Sequence, residues 1–126
     1  MGSGDGDDRR AGASFDFDAY RAAFEAKDVA PWLAFYADDA EWLEYRHSDP
    51  PRAPSVMRGK AEIGAFLERV AALPLTIELS REVLAADRIA FACLVTFDDG
   101  KQILEHVIAD LREGRIVRHV EVEAWD

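Results

Sequence analysis

The feature that most constrains the fold is a run of four strand-like segments that fills the C-terminal part of the chain. From Leu75 onward the chain consists of apolar, strand-like runs separated by turn residues, and alternate residues of each run share one face of the predicted sheet. Residues 98–100 (DDG) and 113–114 (EG) separate the last three segments and are typical hairpin turns. We therefore expect these three strands to pair antiparallel. The predicted segments are 75–85, 88–97, 102–112 and 115–125.

Helical patterns come before these strands. Apolar residues spaced by three and four predict a first helix over 16–27, and Asp28 is a suitable cap for a second helix whose apolar face carries Val29, Trp32, Leu33 and Tyr36. A short strand over 40–45 and an irregular, proline-rich loop follow, and Asp38 and Asp39 are expected to form the turn before that strand. A third helix should open at Gly59. Helices followed by strands predict an α+β domain.

Length and composition limit the classes of protein that fit. A chain of 126 residues suits one domain, which we place at 15–126 after a flexible tail at 1–14. The net charge of −10, with 15 basic residues against 25 acidic ones, argues against nucleic acid or an anionic membrane as partners. No stretch has the length of a membrane span or a signal peptide, so we expect a cytoplasmic protein. The lone Cys93 is expected to be a buried apolar side chain.

The segment 88–97 is apolar on both of its faces. Ile89, Phe91 and Val95 share one side, while Ala92 and Leu94 share the other. Three helices can cover only one face of such a sheet. We therefore expect the other face to be buried in a homodimer.

The order of elements, with YADDAEW after two helices, RGKAEIGAFL in the third and DLREGRIVRHVEVEAWD at the end, resembles the nuclear transport factor 2-like superfamily, which includes SnoaL-like proteins. Within it, FYADDA, SDPPR and PLTIELSREVLAADRIAFACLVTF are most similar to ketosteroid isomerases. The resemblance covers about Phe17 to the C-terminus. It implies a cone-shaped α+β barrel, with three N-terminal helices on a curved, mainly antiparallel sheet around one apolar pocket.

The resemblance also implies a catalytic site. The isomerases use a carboxylate base on the first strand, where this chain has Glu44, and a tyrosine hydrogen-bond donor on the first helix, where it has Tyr20. The place of their second donor, a protonated aspartate, falls on Val107 or Ala109, and neither side chain can donate. Glu105 alternates with Val107 and could supply the missing acid. Apolar side chains expected to line the pocket and bind substrate are Trp42, Phe24, Trp32, Phe35, Phe66 and Val107.

Other interpretations of these residues stay open. Glu44 could be a solvated strand residue or the partner of Arg46 or Arg58, Tyr20 an ordinary buried tyrosine, and Glu105 a residue of the pocket rim. His119, Glu121 and Glu123 lie on one side of the last strand, but alternate strand residues are about 6.6 Å apart, too far for all three to bind one metal ion. We expect these three to form an exposed or dimer-facing stripe.

These observations lead to three functional hypotheses. The first is a cofactor-free, metal-free isomerase-like enzyme that transfers a proton on an apolar, enolisable carbonyl compound such as a ketosteroid. The second is a SnoaL-like polyketide cyclase or hydrolase that uses other groups of the pocket. The third is a module for small-ligand binding or dimerisation without catalysis.

Overall fold

A computed structural model describes residues 14–126, so the predicted tail lies outside the described residues apart from Ser14. The predicted α+β architecture is confirmed: within this range, three helices pack against a curved, six-stranded, mostly antiparallel sheet. Along the chain the elements are α1 (Phe17–Ala26), α2 (Val29–Leu33), β1 (Tyr36–Tyr45), β2 (Ser55–Arg58), α3 (Gly59–Ala71), β3 (Leu75–Leu84), β4 (Arg88–Phe97), β5 (Gln102–Arg112) and β6 (Arg115–Trp125).

Hydrogen bonds at their ends set the limits of the first two helices. The Asp16 carboxylate caps α1 by accepting a bond from the Ala19 amide at 3.0 Å, and Lys27 ends it in a left-handed conformation. The expectation that α2 extends to Tyr36 is wrong. Phe35 accepts a hydrogen bond from the Ile116 amide at 2.9 Å, so the chain is already pairing with β6 where the pattern predicted helix.

The strand order is β2-β1-β6-β5-β4-β3, and β1 runs parallel to β6 while the other neighbours are antiparallel. Three strands have the predicted bounds, and β1 begins four residues before its predicted start. Asp38 and Asp39 therefore lie within β1, at an irregularity in its pairing with β6, and the expected turn before the strand is wrong. The short β2, in the segment predicted as a loop, pairs with β1 at the sheet edge.

A β-bulge near the start of β6 decides which side chains enter the core. Leu111 pairs with Ile116, but the next position, Asp110, pairs with Arg118, so Val117 is an extra residue in β6. A shift of one residue turns every later side chain of a strand to the opposite face. The bulge therefore places His119 and Glu121 on the helix-covered inner face, where they are 0% and 1% exposed. The predicted exposed stripe on β6 is wrong for this reason.

The two faces of the sheet differ in their surroundings. The inner face packs against the helices and holds the buried aromatic core. The outer face of β5 and β6 exposes Leu104, Ile108 and Val122, with Val122 59% exposed. In residues 14–126, no helix has both the length and the apolar character needed to cross a membrane.

Candidate functional site

A cavity of about 200 Å³ lies between α3 and the inner face of the sheet. Its walls are apolar apart from three carboxyl groups and one guanidinium, and a smaller chamber of about 40 Å³ continues its inner end. The main cavity is lined by Glu44, Arg46, Phe66, Val70, Leu73, Leu75, Val95, Phe97, Ile103, Glu105, Glu123 and Trp125. The inner chamber adds Phe24, Trp32, Trp42, Ile77 and Glu121.

Glu44 lies on β1 and lines both parts of the cavity, although its side chain is largely withdrawn from solvent at 6% exposure. The Trp42 indole Nε1 donates to its Oε2 at 3.1 Å and so fixes the carboxylate. Burial raises the pKa of Glu44 above its ordinary value, and the charge of Glu123 adds to the rise. Glu44 is thus a carboxylate held in apolar surroundings with its basicity increased.

The arginines that could have neutralised Glu44 have other partners. Arg46 bonds Asp49 at 2.5 Å, and Arg58 bonds Glu41 at 3.1 Å. Among the ion pairs of residues 14–126, none joins Glu44 to either arginine. The interpretation of Glu44 as half of a surface salt bridge is therefore not what the structure shows.

Glu105 lies on β5 and faces the same cavity. Burial raises its pKa to about 8, and the negative charges of Glu123 and Glu44 contribute to this rise. At neutral pH this carboxyl is therefore mainly protonated and can donate a hydrogen bond. Burial also raises the pKa of Glu44, so two carboxyl groups that face one cavity both hold their protons more tightly than carboxyl groups in solvent.

The carboxyl groups of Glu121 and Glu123 lie beside those of Glu44 and Glu105 in the cavity. The sequence pattern did not predict this position, because it does not show the bulge in β6. One carboxylate oxygen each from Glu44, Glu121 and Glu123 lie within 4.8 Å of one another. This is not the set of three β6 residues considered from the sequence, because Glu44 of the adjacent strand takes the place of His119. Oxygens grouped in this way have the chemistry to hold a cation. Burial, followed by the charge of Glu105, raises the pKa of Glu121 well above its ordinary value.

A buried hydrogen-bonded chain runs from the carboxyl cluster into the core, formed by Tyr20, Tyr36, His119 and Glu121. The two tyrosine hydroxyls are 2.7 Å apart, the Tyr36 hydroxyl lies 3.0 Å from His119 Nδ1, and His119 Nε2 lies 2.9 Å from Glu121 Oε1. Burial lowers the pKa of His119 to about 3, so the imidazole is neutral and donates through only one nitrogen. If Glu121 is ionised, His119 Nε2–H donates to it, so Nδ1 accepts from the Tyr36 hydroxyl and Tyr36 in turn accepts from Tyr20.

The structure brings some of the predicted site residues together and separates others. Glu44, Glu105 and Phe66 line the main cavity, and Trp42, Phe24 and Trp32 line its inner chamber. Tyr20 is fully buried in the hydrogen-bonded chain, and burial raises its pKa. Phe35 packs against Phe15 and Tyr20, with ring centroids 5.4 Å from each. Val107 is buried in the core beside Glu121 in the sheet register.

The model of the SnoaL-like domain matches residues 17–119. This chain belongs to the SnoaL-like domain family. The match spans most of the chain, including both helices before β1, α3 and the strands that carry Glu44 and Glu105. Comparison with curated proteins found no match.

Solved structures with the same fold include an NTF2-like protein of unknown function from Mesorhizobium loti, with a TM-score of 0.72, 16% identity, and coverage of 86% of this chain and 87% of that one. A protein provisionally named a ketosteroid isomerase, from Kribbella flavida, has a TM-score of 0.67 and 15% identity over 87% and 74% of the two chains. A hypothetical protein from Catenulispora acidiphila with a ketosteroid isomerase-like fold, in complex with trimethylamine, has a TM-score of 0.62 and 14% identity over 83% and 82%. These similarities establish the NTF2-like fold.

Proposed function

We propose that this protein is a cofactor-independent enzyme that transfers a proton on a small, apolar, enolisable carbonyl compound. The observation that carries this proposal is the position of Glu44, a buried carboxylate of raised pKa that lines an apolar cavity. A general base works best when its pKa lies near the working pH, and burial moves Glu44 in that direction.

In the proposed reaction, the Glu44 carboxylate removes a proton from the carbon next to the carbonyl. The carbon–hydrogen bond breaks and its electron pair moves into the carbonyl group, which becomes an enolate. Glu44, now neutral, returns the proton to a carbon further along the conjugated system. One negative charge moves from Glu44 to the enolate oxygen and back, so the net charge of the cavity stays constant and no cofactor is required.

Glu105 supplies a hydrogen bond to the enolate oxygen in this proposal. Its pKa of about 8 keeps it protonated at neutral pH, and it lines the same cavity as Glu44. The role predicted for Tyr20 changes accordingly. Its hydroxyl bonds Tyr36 at 2.7 Å, so we assign it to the chain that positions Glu121 beside the base.

The size of the cavity limits the proposed substrate. At about 200 Å³ it is smaller than the roughly 300 to 1,000 Å³ typical of sites for drug-sized ligands. Leu73, Phe97 and Trp125 also line the cavity, and because Leu73 and Trp125 are exposed we place its mouth beside these three apolar side chains. We therefore propose a substrate that inserts one ring or a short chain, with any larger apolar part lying across these mouth residues.

The test uses a pair of unconjugated ketones, 3-cyclohexenone and a Δ5-3-ketosteroid, whose isomerisation gives a conjugated enone that is followed by its ultraviolet absorbance. Glu44→Gln keeps the shape and removes the base, and we expect it to lower turnover by about a hundredfold or more. Glu41→Gln is the matched control, because Glu41 lies on the same strand and pairs with Arg58 and Arg118. Full activity of Glu44→Gln would show that the base is assigned wrongly. Activity that disappears with EDTA would contradict the cofactor-free mechanism.

A second candidate function, ligand binding without turnover, is favoured by the number of carboxyl groups in the cavity. Within residues 14–126, the cavity and its inner chamber have one cationic lining side chain, Arg46, whose Nη1 lies 4.0 Å from Glu123. They have four lining carboxyl groups, those of Glu44, Glu105, Glu121 and Glu123. The Catenulispora neighbour holds trimethylamine, a compound that is cationic at neutral pH. Calorimetric titration with trimethylammonium separates the two functions. Tight binding together with inactivity on both ketones would favour the binding module.

We also propose that two copies associate through the outer face of the sheet. Leu104, Ile108 and Val122 form an exposed apolar surface on β5 and β6, and His106 lies among them. A continuous apolar surface on a twisted sheet fits a second copy of itself around a two-fold axis. Light scattering at micromolar concentration tests this, and a monomeric mass would contradict it.

A further inference from the structure

The far end of the buried hydrogen-bonded chain decides the direction of its bonds. The fully buried Tyr20 hydroxyl has one hydrogen-bond partner among residues 14–126, the Tyr36 hydroxyl at 2.7 Å. If Tyr36 donated to Tyr20, the Tyr20 hydrogen would have no acceptor, whereas buried polar groups in folded proteins nearly always have a partner. Tyr20 therefore donates to Tyr36, and Tyr36 donates to His119 Nδ1, which lies 3.0 Å away.

This direction fixes the tautomer of His119 and the bond that it makes with Glu121. Burial lowers the pKa of His119 to about 3, so the neutral ring carries one proton. Because Nδ1 accepts from Tyr36, that proton lies on Nε2, which donates to Glu121 Oε1 at 2.9 Å. Oε1 is thus an acceptor. A proton on the Glu121 carboxyl group therefore lies on its other oxygen, Oε2.

The surroundings of Glu121 favour its neutral form. It is 1% exposed, less than any other acid of the cavity, and one oxygen each from Glu44, Glu121 and Glu123 lie within 4.8 Å of one another. Burial, followed by the charge of Glu105, raises the pKa of Glu121 well above its ordinary value. Like charges this close and withdrawn from water are costly, so one of the acids keeps its proton, and the most buried one keeps it most firmly.

Glu44 is the neighbour that best accepts the Glu121 proton. Glu123 already accepts from Trp125 Nε1 at 2.7 Å, and Glu105 is mainly protonated at neutral pH because its pKa is about 8. No ion pair of residues 14–126 includes Glu44. Burial raises the pKa of Glu44, and a hydrogen bond from Glu121 opposes this rise.

We infer that Glu121 is a positioning residue, a neutral carboxylic acid that accepts from His119 and donates its Oε2 hydrogen to the Glu44 carboxylate. This role rests on the proposed function, in which Glu44 is the base. The bond offsets part of the cost of a buried charge, so Glu44 stays ionised near neutral pH. It weakens when Glu44 takes the substrate proton, because a neutral acceptor binds a donor less tightly than a charged one. The other titratable and charged groups around the pair are Arg46 on β1, Cys93 on β4, Glu105 on β5 and Glu123 on β6.

Two substitutions at position 121 separate a neutral donor from a charged carboxylate. Glu121→Gln keeps a carbonyl oxygen for His119 and gives Glu44 an N–H donor, whereas Glu121→Leu removes both groups. The measurement is the pH at which Glu44 is half ionised, followed by nuclear magnetic resonance of its carboxyl carbon. We expect this midpoint to stay nearly unchanged in Glu121→Gln. In Glu121→Leu it should move upward by about one pH unit or more, the size of one hydrogen bond to a charged group.

Glu123→Gln is the control for removal of a charge. After burial, the charge of Glu123 is the next cause of the raised pKa of Glu44, so this variant should move the midpoint to lower pH. A similar downward movement in Glu121→Gln would overturn the inference, because it would show that Glu121 is ionised. An unmoved midpoint in a folded Glu121→Leu protein would show that no bond to Glu44 was lost. If Glu121→Leu does not fold, the comparison of the two glutamine variants still decides.

Turnover on the two ketones gives a second readout. Glu121→Leu should lose about tenfold at pH 5 and less as the pH rises, whereas Glu121→Gln should keep most of the activity. A loss in Glu121→Leu that is the same at every pH would point to a purely structural role. The titration needs no substrate, so an inactive protein with the expected midpoints would refute the proposed reaction alone.

Discussion

Replacing Glu105 with glutamine is expected to remove a large part of the pH dependence of folding stability. The pKa of Glu105 is about 8 in the folded protein, against an ordinary value of 4.5, chiefly because of burial. A carboxyl whose pKa is raised by folding binds its proton more tightly in the folded state. Its contribution to stability is therefore complete below pH 4.5 and is lost as the pH rises to 8.

The size of the effect follows from that interval. Each pH unit between the two pKa values lowers the free energy of unfolding by about 1.4 kcal/mol, because unfolding releases one proton. Between pH 5 and pH 8 this group alone should cost about 3 kcal/mol, a large fraction of the roughly 5 to 15 kcal/mol that stabilises a typical domain. Glutamine has nearly the same shape and does not titrate. The change in the free energy of unfolding caused by Glu105→Gln should therefore be more favourable at pH 8 than at pH 5 by about this amount.

Urea denaturation of both proteins at pH 5 and pH 8 checks the prediction. Comparing the two pH values cancels any change in packing that the amide introduces, because packing acts equally at both. Glu78→Gln, at an exposed position of β3, is the matched control for replacing a carboxyl group with an amide. If the difference in stability between Glu105→Gln and the unaltered protein were the same at both pH values, Glu105 would not have the raised pKa on which the mechanism depends.

Three further predictions concern activity, the core and assembly. Turnover should follow a bell-shaped pH profile. It should rise as Glu44 ionises, above the ordinary pKa of a glutamate, and fall near pH 8 as Glu105 loses its proton. A profile that is still rising at pH 10 would exclude Glu105 as the donor. Tyr36→Phe should lower the free energy of unfolding by about 1 to 3 kcal/mol, because it removes the hydrogen-bond partner of the Tyr20 hydroxyl and of His119 Nδ1. In the same denaturation assay Tyr45→Phe, at a half-buried position, should cost less than about 1 kcal/mol. Val122→Glu should produce monomers in light scattering while leaving the melting temperature nearly unchanged, and a dimer that survives this substitution would place the interface elsewhere.

Much of the fold could be predicted because it depends on local patterns. The periods of two and 3.6 in the sequence predicted α3 and the bounds of β4, β5 and β6, since these elements bury one face or stripe along most of their length. The prediction failed at Tyr36, where pairing with β6, eighty residues away in the chain, overrides an apolar helical pattern. It also failed at β2, a four-residue edge strand whose pairing with β1 has no periodic signal of its own.

Part of the candidate site could also be predicted from the sequence, and part could not. The position of Glu44 beside Trp42 was visible in the sequence, because alternate residues of one strand share a face. Trp32 was expected in the pocket only as an apolar wall. The structure buries this ring against Phe24, with ring centroids 4.3 Å apart, and both side chains line the inner chamber.

The sequence by itself therefore determined the helices, the long antiparallel strands and a carboxylate next to a tryptophan on β1. Only the tertiary structure decided which acids surround that carboxylate. The hairpin at 113–114 indicates that β5 and β6 pair, but the single extra residue at Val117 sets which face of β6 points inward. Without the bulge Val122 would oppose Glu105; with it Glu123 does, and His119 and Glu121 enter the core. A pattern of period two is the same for either face, so the choice is made by packing across the whole sheet.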